Sequence, residues 1–228
     1  MKRKAILVFA DPTGLDLARC RFPKMFRSLF DIRSIGAAQL DADVHLFTSG
    51  YSPGTPDIEV HRQVGSTFAE RLEGAIEKVA ALGYDEIVMV GRDCPHLELD
   101  DIATAFASFE EKQIVLGPDH QGGCYLIGFR SRDRHLLRGI QWKRNTDCEQ
   151  LQNRCADRQV LLLPVKQDLD SWIDLRILAL ASDGFGKLIR SFFILICSLS
   201  ERRSAFFVDA ARRKMKTRWQ LPPPAFVA

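Results

Sequence analysis

Short apolar runs recur along the first 165 residues: "KAILVFA" (4–10), "DVHLFTS" (43–49), "DEIVMVG" (85–91), "QIVLGP" (113–118), "CYLIGF" (124–129) and "VLLLPV" (160–165). Each is too short for a core helix and too continuously apolar for a strand with one wet face, so each reads as a strand buried on both sides. Between the second and third, residues 66–82 ("STFAERLEGAIEKVAAL") place Phe68, Leu72, Ala75, Ile76 and Val79 on one helical stripe, and Gly83 stands where the helix must end. This strand, helix, strand rhythm implies a doubly wound, mostly parallel α/β sheet flanked by helices. Such sheets bind ligands beyond the carboxyl ends of their strands.

The Pro/Gly-rich stretch "SGYSPGTPD" (49–57) reads as a loop, and no repeat or low-complexity segment interrupts the body. Residues 1–183 are therefore expected to form one domain, followed by a helical, basic, partly amphipathic extension over 184–228. With 46% hydrophobic and 27% charged residues, a substantial core is affordable and global disorder is excluded. The net charge of +3 conceals a split: residues 184–228 carry nine Lys or Arg against two acids, leaving 23 against 27 in the body. A mildly acidic body argues against nucleic-acid binding there. In the extension, Leu188, Phe192, Leu195, Ile196 and Leu199 fall at near-helical spacing, which suits docking on the body, on a second subunit in a homo-oligomer, or on an anionic membrane surface. The apolar stretch 191–199 is far short of the ~20 residues that span a bilayer.

Six cysteines lie scattered without a C-x-x-C pair or histidines at zinc-finger spacing, which suggests reduced thiols. The opening "MKRKAILVFADP" starts like a signal peptide, but its apolar run meets Asp11 and Pro12 and reads better as a first strand. A cytoplasmic protein is expected.

Four stretches could carry chemistry. In "IVMVGRDCPHLELDD" (87–101), a buried strand drops into Asp93, where a carboxylate can reach a divalent cation and through it a phosphate; "QDLDSWID" follows the last strand with Asp168, Asp170 and Asp174. Helix capping is the alternative reading of both clusters. "LGPDHQGGCYLIGF" (116–129) holds Gly117, Pro118, Gly122 and Gly123 around Gln121; paired glycines suit either close approach of backbone to a ligand or a plain tight turn. "LARCRFPKMFRSLF" (17–30) concentrates Arg19, Arg21, Lys24 and Arg27, a phosphate clamp or a solvated helix face. The G-x-G-x-x-G, P-loop and G-x-S-x-G signatures are absent.

In this order and spacing, the pieces resemble a bacterial family of GT-A-like proteins of unknown function, some of whose members are assigned as arsenosugar-biosynthesis glycosyltransferases. More distantly they look like the nucleotidyltransferases of molybdenum-cofactor and phospholactate guanylylation. The resemblance covers roughly residues 4–180. The family's F-A, eight residues, K-T-R-L pattern is met by Phe9 and Ala10 with Arg19, Cys20, Arg21 and Phe22; its "Q…ER" by Gln63, Glu70 and Arg71; its G-S-D-C-P by Gly91, Arg92, Asp93, Cys94 and Pro95; and its D-x-D-T by Asp168, Leu169, Asp170 and Ser171.

The resemblance implies a GT-A fold and a metal-dependent transferase, a glycosyltransferase or nucleotidyltransferase, acting on a nucleotide-sugar or nucleoside triphosphate and an unknown acceptor. It further implies that Asp93 and Asp170 bind Mg²⁺ or Mn²⁺, that Arg19, Arg21 and Arg71 contact phosphates, and that Gln121, Gly122 and Gly123 face the donor, with Asp93 and Gln121 as the catalytic pair. The chain departs from the family pattern twice. Asp11 replaces a lysine after the first strand, and Gln121 to Cys124 replace D-G-G-Y. A non-catalytic relative that binds nucleotide or a protein partner is the alternative these departures support.

Overall fold

The computed structural model describes residues 2–10, 37–49, 57–91, 94, 96–155 and 159–167. The chain divides into two units, Met1–Ser171 and Trp172–Ala228, and the described residues all belong to the first. Arg19, Arg21, Asp93, Asp170, the departure Asp11 and the basic extension lie outside the described residues.

The strands are β1 (Lys4–Ala10), β2 (Asp43–Thr48), β3 (Ile58–Arg62), β4 (Glu86–Val90), β5 (Ile114–Pro118), β6 (Cys124–Arg130) and β7 (Val160–Leu162), and the α-helices are α1 (Phe68–Ala81), α2 (Leu99–Ser108) and α3 (Asp147–Arg154). Short 3-10 helices cover Ala37–Leu40 and Ser131–Leu137. The strands form one sheet in the order β3-β2-β1-β4-β6-β5-β7, with β6 running against its neighbours β4 and β5 and every other pairing parallel. The mostly parallel sheet read from the apolar runs is therefore present. Its reversed strand follows from a short hairpin-length link between β5 and β6, which cannot house a crossover.

Period-two alternation splits each strand between two cores. Leu7, Phe9, Phe47, Ile87, Met89, Leu116, Ile127 and Phe129 pack with α1 and with Leu151 of α3, while Ile6, Val8, Leu46, Val88, Val90, Val115 and Leu126 pack with α2. Helices thus cover both faces, which is why the strands read as unbroken apolar runs.

In α1, Leu72, Ala75, Ile76 and Val79 are buried, as the stripe required, and Phe68 packs half-buried at their edge. A reciprocal cap starts the helix: Thr67 Oγ1 accepts the Glu70 N–H (3.1 Å), and Glu70 accepts the N–H groups of Ser66 (2.7 Å) and Thr67 (3.2 Å). Those two backbone bonds hold the Glu70 carboxyl below its usual range. Gly83, at φ +85°, turns the chain out of the helix.

The sequence reading missed β3. Its "IEVHR" alternates apolar and polar residues and is only partly buried, because it is the sheet's edge and draws its order from pairing with β2 rather than from its own hydrophobicity.

Candidate functional site

The carboxyl ends of β1, β2, β4 and β5 open on one edge of the sheet, and polar groups fasten that edge. Gln63, buried just after β3, donates through Nε2 to Ala10 O (2.8 Å) and Phe47 O (3.0 Å), tying the ends of β1 and β2 together. Gly65, at φ +137°, then swings the chain onto the first turn of α1, where an added Cβ would meet Glu70 Cβ at 2.8 Å and Arg71 N at 2.9 Å. Gln63, Glu70 and Arg71 of the recognised segment are thus explained in part by architecture: Gln63 braces strand ends and Glu70 caps a helix. Arg71 sits half-buried one residue beyond that cap.

On the neighbouring strands, the β5–β6 link forms the turn that contains Gln121, Gly122 and Gly123. Asp119 Oδ1 accepts the N–H groups of Gln121 (2.6 Å) and Gly123 (2.9 Å), and Asp119 N donates to Gly123 O (3.1 Å). Gly122 takes φ +100°, and a Cβ there would overlap Asn145 O and stand 2.9 Å from Asn145 C; a Cβ on Gly123 would overlap Asp119 Oδ2. Gly122 O accepts the Cys148 N–H (3.1 Å), so the turn is seated on the start of α3. Gly117 has a different reason to be glycine: the Tyr125 ring lies across it, with Cζ 2.5 Å from where a Cβ would stand. Gln121 itself is exposed.

The segment 142–146 that presses on this turn holds two non-glycine residues in the left-handed region, Lys143 (φ 60°) and Asn145 (φ 58°). Asparagine tolerates that conformation and lysine does so at some cost. Lys143 lies over the Phe68 ring (4.8 Å), and Phe68 meets Phe9 edge-on (5.5 Å) and Trp142 (6.4 Å), which gives the edge an aromatic floor.

Electrostatically the turn is anionic. Asp147 is buried, its Oδ1 has no hydrogen-bond partner, and desolvation raises its carboxyl pKa, with Asp119 adding to the rise. Beside it Cys124 and Cys148 share a hydrogen bond that favours the thiolate on Cys148, whose pKa falls to about 7, while the Cys124 thiol is pushed up. Gln152 Nε2 also donates to Cys148 Sγ (3.1 Å). Neither Asp147 nor this thiol pair was singled out in the sequence; the Thr146-Asp147 start of a helix was their only local signal.

Alongside the turn, where Lys166 pairs with Asp119, Lys166 joins three elements, donating to His96 O (2.7 Å) and Asp101 Oδ2 (2.5 Å) while its backbone N–H bonds Pro118 O (3.1 Å). It pins the segments after β4, β5 and β7, the segments whose neighbours Asp93 and Asp170 lie outside the described residues. Among the described residues, the group of side chains able to hold a metal is His45, Glu59 and His61, away from this turn. A shallow depression lined by Lys2, Asp85, Glu86, Arg130, Ser131 and Arg132 lies at the other, amino-terminal edge of the strands.

Residues 35–144 match the model of a family described as an uncharacterized protein conserved in bacteria (DUF2064). No curated protein matches the chain by sequence. Among solved structures, the chain is similar to a proposed nucleotide-diphospho-sugar transferase from Desulfovibrio desulfuricans G20, at 25% identity and a TM-score of 0.66 over 87% of this chain and 98% of that one. It shares the fold of 4-diphosphocytidyl-2C-methyl-D-erythritol synthase from Anaerococcus prevotii DSM 20548, at 11% identity and a TM-score of 0.55 over 77% of this chain and 94% of that one. The same holds for Rv0371c from Mycobacterium tuberculosis H37Rv in complex with manganese, at 15% identity and a TM-score of 0.50 over 77% and 97%. The fold is that of the nucleotide-diphospho-sugar transferases. No helix among the described residues is long and apolar enough to cross a membrane.

Proposed function

We propose that this chain, residues 35–144 of which match the model of that bacterial family, is a cytoplasmic, metal-dependent transferase that takes a nucleotide-activated donor at the carboxyl edge of its strands. The observation that supports this reading most is the Gln121–Gly123 turn at that edge, seated on α3, in a fold shared with the Desulfovibrio protein described above. A nucleotide-sugar or a nucleoside triphosphate is the donor class. Within the site, Asp93 and Asp170 would hold Mg²⁺ or Mn²⁺, hard cations that take carboxylate oxygens. The anionic surroundings of Asp119 and the unpartnered Asp147 Oδ1 fit a cation at this edge. When bound, such an ion neutralises charge on the departing phosphate.

The chain's own residues do the rest. Arg19, Arg21 and Arg71 grip the phosphates with charge-assisted bonds, Gly122 and Gly123 keep the turn flat against the donor, and Gln121 bonds a donor hydroxyl. A second reading, a non-catalytic nucleotide binder, draws on Gln121 standing neutral in the turn while Asp119 Oδ1 is engaged by two backbone donors. Isothermal titration with a panel of nucleotides, with and without Mn²⁺, tests both. Nucleotide binding that depends on Mn²⁺, accompanied by turnover of a nucleotide-sugar or triphosphate, supports the transferase; binding without turnover favours the second reading, and no nucleotide binding under either condition refutes both.

A further inference from the structure

Away from the candidate site, β2 and β3 gather three metal-ligating side chains on the α1 face of the sheet. His45 of β2 stands in register with Glu59 of β3, and His61 follows two residues later, so the period of a strand puts both β3 side chains beside His45. His45 Nδ1 lies 3.0 Å from His61 Nε2 and 3.4 Å from Glu59 Oε2, and Glu59 Oε1 lies 3.5 Å from His61 Nε2. Four-coordinate zinc, with bonds of about 2.0–2.2 Å, holds its donor atoms roughly 3.3–3.6 Å apart. The two imidazoles face different oxygens of the Glu59 carboxylate, and one donor atom from each residue can be chosen so that all three lie within 4.8 Å of one another. A small shift of the hydrogen-bonded histidine pair and of the exposed carboxylate brings that spacing to that of a tetrahedral ion.

The rings are fixed before any ion arrives. His61 stacks on Phe47 (centroids 4.7 Å apart), and His45 meets the edge of Tyr84 (5.0 Å), whose hydroxyl donates to Asp43 (2.7 Å). His45 and His61 are 1% and 5% exposed, whereas the Glu59 side chain is 59% exposed, so the cluster is walled by protein on the sheet side and open to solvent past Glu59. Burial is the main cause lowering both imidazole pKa values, which leaves their nitrogens neutral and ligand-competent near pH 7.

We propose that His45, Glu59 and His61 form a binding site for a borderline divalent cation, Zn²⁺ foremost, with a fourth position open to water or a ligand on the Glu59 side. Two imidazoles and one carboxylate select zinc-like ions over Mg²⁺. The ion ties the edge strand β3 to β2 and so stabilises the sheet at its least buried margin. This site is independent of the nucleotide reading, which uses carboxylate oxygens that follow β4 and β7, whereas the cluster sits on the β2–β3 margin of the sheet.

The test uses the full chain, stripped with chelator and titrated with Co²⁺ as a spectroscopic stand-in for Zn²⁺. We expect one equivalent to give the visible bands of tetrahedral cobalt without a thiolate charge-transfer band, and Zn²⁺ to displace it. His61→Gln should abolish the bands. Glu59→Gln alters only an exposed residue and cannot unfold the core; it should weaken binding by more than the ~10-fold that loss of a supporting partner costs a metal site. Zn²⁺ should raise the melting temperature of the parent and not of Glu59→Gln. Absence of the bands, a thiolate charge-transfer band, or cobalt affinity unchanged by either substitution overturns the proposal and leaves His45 and His61 as a hydrogen-bonded pair.

Discussion

Replacing Gly122 with alanine tests whether the turn is held by its contact with α3. Gly122 sits at φ +100°, and the added Cβ would overlap Asn145 O with Asn145 C at 2.9 Å. Left-handed backbone costs an L-residue about 1–2 kcal/mol. The obstacle is backbone, so relief requires the 142–146 segment to move away and give up the Cys148 N–H to Gly122 O bond, worth about 0.5–1.5 kcal/mol net. The sum is about 1.5–3.5 kcal/mol, or a fall in melting temperature of about 3–14 °C for a chain of this size. Gly83→Ala is the control: its φ is +85°, but its Cβ would find only Arg3 Nη1 at 3.5 Å, so the conformational cost stands alone at about 1–2 kcal/mol. Urea unfolding of both variants measures the difference. If Gly122→Ala is no more destabilising than Gly83→Ala, the turn is not pressed against Asn145 and α3 does not frame the site.

Restoring a carboxylate with Gln121→Asp should raise metal-dependent turnover of a nucleotide-sugar, because a neutral amide is a poor ligand for a hard cation; an active parent slowed by the change would mean that glutamine belongs to a working site. The Cys148 thiol should ionise near neutrality: the difference between parent and Cys148→Ser in a thiolate absorbance titration should show one midpoint at about 7, below the ~8.5 of an ordinary thiol. A midpoint at the ordinary value would remove the hydrogen bond from Cys124 as its cause. Changing Arg19 and Arg21 together to Ala should weaken nucleotide binding far more than binding of free sugar, each bond to a charged phosphate being worth about 1.5–3 kcal/mol; equal losses on both ligands would assign them a structural role.

The sheet was legible because strands buried on both faces need unbroken apolar sequence, and β1 coincides with "KAILVFA" for that reason. The α1 stripe was legible through its period, and Leu72, Ala75, Ile76 and Val79 are its buried face. What escaped was set by pairing. β3 is an edge strand whose order comes from β2, and the His45, Glu59 and His61 cluster exists only through the β2–β3 register, which no local pattern announces. The site was legible as chemistry but less so as geometry. Motif letters marked Gln63, Glu70 and Gly117 without revealing that one braces strand ends, one caps a helix and one makes room for Tyr125. Asp147 went unread because its interest lies in burial and in its nearness to Asp119, both products of the folded chain.

In the proposed site, Asp93 after β4 brings a metal-holding carboxylate to a bound nucleotide. Isothermal titration of a nucleoside diphosphate into the parent and into Asp93→Ala, each in Mn²⁺ and in chelator, tests it most directly. The parent should bind with Mn²⁺-dependent affinity that is lost in Asp93→Ala, with the residual binding of the variant indifferent to the metal. Unchanged Mn²⁺-dependent affinity in Asp93→Ala would contradict it and move the metal away from the carboxyl end of β4.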